Sequence, residues 1–269
     1  MGVGEFAGGS APVIALDLVG STNAEALARA RRGEFGPFWI TAERQSEGRG
    51  RRGRTWASEP GNLYASILLT DPAPSEACPQ LCFVAGLALF DAVGAVCGLD
   101  VPRLSLKWPN DLMLDGAKCA GILVEGEVAP AGRPLAAVIG FGVNCAHHPQ
   151  GTSYPATHLS AAGCTVTPAL LLSALDAALA VRFAEWRGGD GFPAIRAGWL
   201  ARAGTLGQPI TVRTGAEVVD GRFETLDGDG ALVLLRGDGT RTRIGTGEIL
   251  PLVTTIPDPS PPDQVRHGS

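Results

Sequence analysis

Arginine and glycine are concentrated in one short stretch of the sequence. Residues 44–56 contain five arginines and three glycines, in a chain whose formal net charge is −5. So many glycines and like charges disfavour a regular helix or strand, so the stretch is predicted to be a loop. Arginines present planar charged forks that suit carboxylate and phosphate, and glycines let backbone N–H groups approach an anion. This arginine loop therefore predicts an anion site, although a solvated basic loop or a nucleic-acid patch fits the same composition.

A second polar cluster, Gly20-Ser-Thr-Asn23, follows an apolar run and opens a predicted helix. Thr22 and Glu25 have the spacing of a capping box, so helix capping alone can account for these polar residues. The junction between strand and helix can also offer hydroxyl and N–H groups to a small polar ligand. The residues by themselves leave both interpretations open.

Further along, lysines and glycines mark predicted strands. The segment Lys107-Trp-Pro-Asn-Asp111 separates two short strands, and Lys118 stands at the start of an apolar strand that contains Gly121. A glycine inside a strand often marks the close approach of a ligand or of another backbone. Gly140 and Gly142, two residues apart at the end of the next strand, predict the same, whereas a lysine at a strand start is usually just solvated. The full dinucleotide-binding and Walker patterns do not occur.

The other predicted elements hold these residues in place. The arginine loop lies between strands at 37–43 and 62–70, the usual arrangement of a functional loop on a rigid scaffold. Periodicity predicts helices at 81–97, 168–186 and 194–203. Short alternating segments with Asp-Gly turns after residue 207 are typical of a small β-barrel. The remaining strands are predicted at 12–19 (buried), in two short pieces within 104–114, at 118–125 and 135–143, and in the barrel at 208–214, 217–225, 230–236 and 240–244.

Composition narrows the class of protein. The 269 residues suggest one large domain with a small one, and a pI near 5.4 argues against general nucleic-acid binding. No apolar run is expected to reach the ~18 residues of a membrane span. The six cysteines are scattered, and no second pair or nearby histidine completes a zinc set with Cys78 and Cys82. They are predicted to be buried thiols, and His147 and His148 lack a companion carboxylate at metal-ligand spacing.

In order and spacing, these motifs resemble those of the biotin–protein ligases, from about Val13 to Pro251. The resemblance is carried by Gly20-Ser-Thr-Asn23, Gln45, Gly48-Arg-Gly-Arg-Arg-Gly-Arg-Thr-Trp56, Lys107-Trp-Pro-Asn-Asp-Leu112, Lys118-Cys-Ala-Gly-Ile-Leu-Val-Glu125 and Gly140-Phe-Gly-Val-Asn144. It implies an α+β fold. A class II aminoacyl-tRNA synthetase-like catalytic domain with a mixed sheet and flanking helices would span 12–204, and a small C-terminal β-barrel 205–254. Residues 1–11 and 255–269 are expected to be disordered.

The implied activity is a two-step ligation. Biotin and MgATP would give biotinyl-5′-adenylate and pyrophosphate, and a lysine of a biotin carboxyl carrier domain would then attack the mixed anhydride. Two alternatives stay open. Lipoate–protein ligases and octanoyltransferases share the catalytic fold but lack this arginine loop. A non-catalytic module that binds biotin, or another anion, would have no need of Lys118, Asp111 and the whole arginine loop together.

The resemblance also assigns residues. Lys118 is the implied catalytic lysine, and Arg49 and Arg51 would hold the biotin carboxylate and the phosphate. Asp111 would help to place Mg²⁺ or the incoming lysine. The implied biotin contacts are Ser21, Thr22, Asn23, Gln45, Gly48, Arg49, Arg51, Lys118, Gly121, Leu123, Gly140 and Gly142. The implied nucleotide contacts are Arg51, Arg54, Trp56, Asn110, Lys118 and Asn144.

Partners and location follow from the same resemblance. The expected partner is the biotin carboxyl carrier domain of a biotin-dependent carboxylase, and the expected location is the cytoplasm, with no membrane association. Only about a dozen residues precede the first strand, too few for a helix-turn-helix domain, so no DNA binding is expected. A monomer or weak homodimer is expected. The residue that covers the adenine and the role of the barrel stay open.

Overall fold

The computed structural model describes residues 10–127 and 134–250; the predicted disordered ends lie almost wholly outside these ranges. A seven-stranded sheet has the order β1-β2-β3-β7-β6-β5-β4, and a five-stranded sheet follows it. The elements of the first part are β1 (Val13–Val19), α1 (Thr22–Arg31), β2 (Phe38–Gln45), β3 (Leu63–Thr70), α2 (Leu81–Cys97), β4 (Leu104–Lys107), β5 (Asp111–Leu114), β6 (Ala117–Glu127), β7 (Ala136–Val143), α3 (Pro168–Trp186) and α4 (Phe192–Leu200). Those of the second are β8 (Pro209–Thr214), β9 (Glu217–Leu226), β10 (Leu232–Leu235), β11 (Arg241–Ile244) and β12 (Glu248–Ile249).

The large sheet is mixed, as predicted. Strands β1 and β2 are parallel because α1 connects them as a crossover, and the other described neighbours are antiparallel. The prediction that residues 12–19 form a buried strand is wrong. β1 is an edge strand, and Val13 and Leu18 are 49% and 64% exposed. An apolar run does not reveal whether both faces of its strand are covered.

Helix α2 lies at the centre of the core, against α3, α4 and the sheet. Its 81–97 bounds and the 168–186 bounds of α3 match the prediction, and α4 begins two residues earlier and ends three earlier than predicted. By length and composition the helical stretch Ser75–Cys97 could cross a membrane, so the expectation that no stretch is long enough needs correction. However, 61% of its most apolar window is buried inside this fold, where it serves as the core helix.

The start of α1 differs from the predicted capping box. The N-cap is Ser21, whose hydroxyl accepts a hydrogen bond from the Ala24 amide at 3.5 Å. Thr22 is already the first helical residue, and its hydroxyl faces Gln45 at 3.1 Å. Helix capping and side-chain hydrogen bonding are thus carried by different residues of the polar cluster. Ser21 caps the helix, and the Thr22 hydroxyl faces the protein interior.

The C-terminal strands form an antiparallel sheet in the order β11-β10-β9-β8-β12. The predicted segments correspond to β8 through β11, and the two-residue β12 has no counterpart among them. Tight turns at Gly215, Gly230 and Gly239, all with positive φ, connect successive strands. The described pairings give an open order of strands, in which β11 and β12 are the two ends.

The cysteines are not all thiols. Cys97, at the end of α2, forms a disulfide with Cys164, which precedes α3. The prediction of buried thiols holds for Cys119 and Cys145 but is wrong for this pair, because residues 67 apart in sequence become neighbours only in the folded chain. Cys78 and Cys82 are free and half-buried.

Candidate active site

Backbone hydrogen bonds fold the arginine loop back on itself. Its flanking strands β2 and β3 pair antiparallel. Within the loop, the Gly50 amide donates to the Arg54 carbonyl at 2.7 Å, and the Trp56 amide donates to the Gly48 carbonyl at 2.8 Å. A Cβ at position 48 would approach the hydroxyl of Ser58 to 2.7 Å, so this position requires glycine. The loop therefore presents its arginines from a defined frame.

The arginines contact three different parts of the protein. An Arg49 nitrogen lies 3.3 Å from the carboxylate of Glu125 on β6. Arg51 donates to the Asn110 side chain at 3.3 Å and to the Thr246 hydroxyl at 3.4 Å. Burial lowers the pKa of Arg51, because its guanidinium is partly withdrawn from water.

Arg54 joins the arginine loop to the C-terminal sheet. Its guanidinium pairs with the carboxylate of Glu248 on β12 at 2.7 Å. The hydrogen bond to Glu248 raises the pKa of Arg54. The pKa of Glu248 is lowered: burial acts to raise it, but the hydrogen bond and the charge of Arg54 outweigh that effect. Arg54, predicted to contact nucleotide, is paired with Glu248 in this structure, and the nucleotide contact stays a prediction.

Lys118 lies at the point where the predicted catalytic residues meet. Its Nζ is 2.6 Å from Asp111 Oδ1, and both side chains are less than one-fifth exposed. The ring centroids of Trp56 and Tyr154 lie 5.4 and 5.5 Å from the same Nζ. Pairing of β5 with β6 places Asp111 opposite Gly121, on the same strand as Lys118. The structure thus surrounds one ammonium group with a carboxylate and two aromatic faces.

A second lysine shares this environment. Lys107 pairs with Asp111 across the β4–β5 hairpin, and burial lowers the pKa of Lys107 while the charge of Asp111 opposes that fall. Asp111 therefore carries the negative charge next to two partly buried lysines, Lys107 and Lys118. The sequence predicted no role for Lys107, although its place four residues before Asp111 on a tight hairpin was a usable signal.

The polar cluster at the start of α1 is bound to its surroundings. The Thr22 amide and hydroxyl both donate to Gln45 Oε1, at 2.9 and 3.1 Å. Ser66 Oγ lies 2.7 Å from the Thr22 hydroxyl and 2.6 Å from Asn23 Oδ1. Asn23 also donates to the Leu123 carbonyl at 3.2 Å. Four predicted biotin contacts thus form one hydrogen-bonded network, together with Ser66, which was not among the predicted site residues.

Glycines on β6 and β7 leave room for side chains above the sheet. A Cβ on Gly142 would lie 2.6 Å from the Trp56 indole nitrogen, and one on Gly121 would lie 3.1 Å from the same ring. A Cβ on Gly140 would lie 2.9 Å from Asn23 Cγ. The prediction that something packs against these glycines is confirmed, and the partners are Trp56 and Asn23. Within the described ranges, the buried indole N–H of Trp56 meets no hydrogen-bond acceptor.

A cavity of about 180 Å³ opens beside Lys118. It is lined by Thr55, Trp56, Ala57, Lys118, Asn144, Pro149, Thr152, Tyr154 and Ala156. Four of these come from residues 149–157, here called the wall loop. The resemblance implied that the region between Asn144 and about Ala162 helps to cover the nucleotide, but no residue of the wall loop was among the predicted site residues. A larger open groove of about 590 Å³ runs over the C-terminal sheet and contains none of the predicted site residues.

The other predicted polar residues lie at the edge of this cavity or around it. Asn110 joins Arg51 to β6 by donating to the Ile122 carbonyl at 2.6 Å. Asn144 is buried at the cavity edge and donates to the Thr157 carbonyl at 3.0 Å. Arg49 stays on the exposed side with Glu125 and does not contact Lys118 in this structure. Among the residues described, no three His, Cys, Asp or Glu side chains form a cluster that could hold a metal ion.

Comparison with known proteins gives the same picture of the chain. Residues 33–144 match the model of the biotin/lipoate A/B protein ligase family, and residues 205–250 match that of the biotin protein ligase C-terminal domain. The biotin–[acetyl-CoA-carboxylase] ligase of Paracoccus denitrificans is 43% identical over 85% of this chain and 96% of its own length. The ligase of the same name from Mycobacterium tuberculosis is 34% identical over 88% and 89%.

Solved structures agree in fold. Biotin protein ligase from Aquifex aeolicus, in complex with biotin and ATP, has a TM-score of 0.73 at 26% identity and covers 88% of this chain and 97% of its own. The ligase from Leishmania major in complex with biotinyl-5-AMP has a TM-score of 0.62 at 27% identity, over 87% and 99%. With one close relative matched over nearly its whole length and the catalytic motifs gathered around Lys118, this chain belongs to the biotin protein ligase family.

Proposed function

We propose that this protein activates biotin with ATP as biotinyl-5′-adenylate and transfers the biotinyl group to a lysine of a biotin carboxyl carrier domain. The observation that carries the proposal is the position of Lys118, which is paired with Asp111 at a cavity between two aromatic rings. The relatives from Paracoccus denitrificans and Mycobacterium tuberculosis, named for acetyl-CoA carboxylase, support that acceptor.

The first step must bring two anions together. The biotin carboxylate attacks the α-phosphorus of ATP, and pyrophosphate leaves with the electron pair of the broken P–O bond. Fixed cations are needed where negative charge accumulates, and such preorganised donors commonly contribute the largest part of the catalysis. Lys118 and the partly desolvated Arg51 are the two cations proposed for this role. A substrate oxygen would compete with Asp111 for the Lys118 ammonium.

The second step transfers the biotinyl group. The neutral acceptor amine attacks the acyl carbon of the mixed anhydride, an amide bond forms, and AMP leaves with the bonding electron pair. The amine must lose a proton, and Asp111 is the carboxylate proposed to receive it or to orient the amine. Water would hydrolyse the same anhydride, so the arginine loop is proposed to close over the adenylate.

Biotin is proposed to lie over the glycines of β6 and β7. The Trp56 ring lies so close to Gly121 and Gly142 that not even a Cβ would fit between them without contact. A ligand that lies over these glycines therefore requires the indole to move. The buried indole N–H, which meets no acceptor in the described part of the chain, is in keeping with a side chain that finds its partner only in the bound state. The proposed biotin contacts are Ser21, Thr22, Asn23, Gln45, Gly48, Arg49, Arg51, Lys118, Gly121, Leu123, Gly140 and Gly142.

The nucleotide is proposed to occupy the cavity side of Lys118. Proposed contacts are Arg51, Arg54, Trp56, Asn110, Lys118 and Asn144, to which the cavity lining adds Tyr154 of the wall loop. Mg²⁺ would enter with ATP as part of the substrate. Mg²⁺ is commonly held by one or two carboxylates together with substrate phosphates. Asp111 could supply such a carboxylate, and the described residues contain no cluster of three ligands that would hold the ion without the substrate. The ion would neutralise phosphate charge.

The finer structural assignments are part of the same proposal. The catalytic unit is of the class II synthetase-like kind and comprises residues 12–204. The C-terminal unit of residues 205–254, of which 251–254 lie outside the described residues, is a small barrel. The Arg54–Glu248 and Arg51–Thr246 contacts support a role for the C-terminal unit in holding the arginine loop. ATP and a carboxylase acceptor point to the cytoplasm as the location of the reaction.

The test is pyrophosphate release by the purified protein with MgATP and one carboxylic acid at a time. We expect a burst of about one pyrophosphate per enzyme with biotin and none with lipoate or octanoate. A burst with lipoate or octanoate instead would move the protein to the sister ligases. Tight biotin binding without any release would indicate a binding module.

A further inference from the structure

Two histidines lie at the two ends of the wall loop. The Nδ1 atoms of His148 and His158 are 2.7 Å apart, and their rings stack with centroids 5.0 Å apart. The amide nitrogen of Gln150, a donor, lies 3.2 Å from His148 Nε2. His148 then accepts at Nε2, carries its proton on Nδ1 and donates it to His158 Nδ1. This hydrogen bond closes the neck of the wall loop.

The wall loop is tied to the site residue Lys118 by both backbone and side chains. The Lys118 amide donates to the Pro155 carbonyl at 2.8 Å, and the Thr157 amide donates to the Lys118 carbonyl at 2.9 Å. Tyr154 places its ring 5.5 Å from Lys118 Nζ. Any opening at the neck would therefore change the surroundings of Lys118 and the lining of the cavity.

We propose that His148 and His158 are positioning residues, which hold the wall loop against Lys118 while at least one imidazole is uncharged and release it when both are protonated. Two imidazolium rings have no acceptor nitrogen between them, and they repel each other. The effect on ATP rests on the proposed function, whereas the opening of the loop does not. A wall loop that opens on mild acidification would lower the affinity of the protein for the nucleotide.

The surroundings of the pair set the direction of this effect. His147, which precedes His148 in the chain, is one of the neighbours that lower the pKa of His158. Asn62, just before β3, accepts hydrogen bonds from the backbone amides of Cys145 and Ala146, ahead of the wall loop, with a neutral side-chain amide. Lys118 on β6 is paired with Asp111. Burial and its two histidine neighbours lower the pKa of His158, so the second proton binds below the ordinary histidine range. The neck is therefore closed at neutral pH.

The experiment compares wild type with His158→Asn, which keeps a hydrogen-bonding group near the Nδ1 position but does not titrate. Amide hydrogen exchange of residues 149–157, corrected for intrinsic rates, is measured without substrates from about pH 7.5 to about pH 5.5. We expect wild-type protection to fall about tenfold over this range, and that of His158→Asn to stay flat. The KM for ATP should rise by a similar factor in wild type but not in His158→Asn, with kcat changing less.

Two further variants keep the test decisive. His148→Asn replaces the other imidazole of the hydrogen bond and should give the same flat profile if His158→Asn folds poorly. His147→Asn changes a neighbouring histidine outside the hydrogen bond and should keep a pH-dependent loss of protection, displaced to higher pH because one neighbour that lowers the pKa of His158 is gone. Protection that is constant with pH in wild type, or equal pH profiles in wild type and both neck variants, would overturn the proposal. If biotin activation fails altogether, the exchange measurement still decides.

Discussion

Lys118 Nζ and Asp111 Oδ1 lie 2.6 Å apart, on the adjacent strands β6 and β5, with both side chains largely buried. Asp111 is also the backbone partner of Lys107 in the β4–β5 hairpin, and its charge acts on that lysine as well. A lysine held in this way is oriented and available to an incoming anion that can replace the carboxylate. The proposed catalysis depends on this pair.

Lys118→Ala should nearly abolish adenylate formation. Loss of one preorganised donor typically raises the barrier by roughly 2.7–4 kcal/mol, or about 10²–10³-fold in rate. Pyrophosphate release with biotin and MgATP measures the effect, and circular dichroism with thermal unfolding checks the fold. Lys118→Arg is the matched control, which keeps a positive charge and should retain more activity than Lys118→Ala. Turnover near the wild-type rate in Lys118→Ala would refute the assigned role.

Arg51→Ala should release the adenylate before transfer. Arg51 connects the arginine loop to Asn110 on the sheet and to Thr246 of the C-terminal unit, so its loss loosens the cover over the cavity. Biotinylation of an unrelated protein added to the reaction measures the escape, by streptavidin blotting. Arg52→Ala is the control, because it removes one charge from the same loop but keeps both Arg51 contacts, and it should remain faithful. Equal fidelity of Arg51→Ala and wild type would contradict the water-exclusion role.

Gly142→Ala should destabilise the protein through Trp56. The added methyl would lie 2.6 Å from the indole nitrogen, and overpacking of this kind typically costs about 1–3 kcal/mol. Urea unfolding of Gly142→Ala, Trp56→Ala and the double variant forms a cycle. We expect the penalty of Gly142→Ala to disappear when Trp56 is alanine. A penalty that persists in the double variant would mean that the indole does not lie on this glycine.

Reduction of the Cys97–Cys164 disulfide should lower the free energy of unfolding. The bond joins residues 67 apart in sequence. Disulfides typically stabilise a fold by about 2–4 kcal/mol, with larger values for longer loops. Thermal unfolding with and without dithiothreitol measures it. Cys97→Ser should reproduce the loss and be insensitive to reductant, whereas Cys78→Ser should leave the stability unchanged. No difference between oxidised and reduced protein would show that the pair does not stabilise the fold.

Much of the fold could be predicted because local sequence patterns determine many of its helices, strands and turns. Helices α2 and α3 show apolar periodicity with clear ends, and Asp115-Gly116, which has positive φ at both residues, fixes the hairpin between β5 and β6. That hairpin is also why Asp111 and Lys118 come together. The glycines Gly140 and Gly142 indicated a close packing partner without identifying it, since a missing side chain records space and not its occupant.

The features that the sequence did not predict depend on contacts between distant segments. Tyr154 lies in a polar, proline-containing loop, and only the bridge of that loop to Lys118 brings its ring over the ammonium. The pairing of Cys97 with Cys164 requires the packing of α2 against α3. The exposure of β1 depends on its place at the sheet edge. None of these three relationships produces a local sequence pattern from which it could be predicted.

Isolation of the adenylate intermediate would test the proposed chemistry without relying on any variant. Purified protein is mixed with biotin and MgATP without an acceptor, separated from free ligands by gel filtration, and analysed by mass spectrometry. We predict about one biotinyl-5′-adenylate bound per protein, discharged to a single lysine when a biotin carboxyl carrier domain is added. Wild-type protein that binds biotin yet yields no adenylate, and transfers nothing to the carrier domain, would contradict the proposed function.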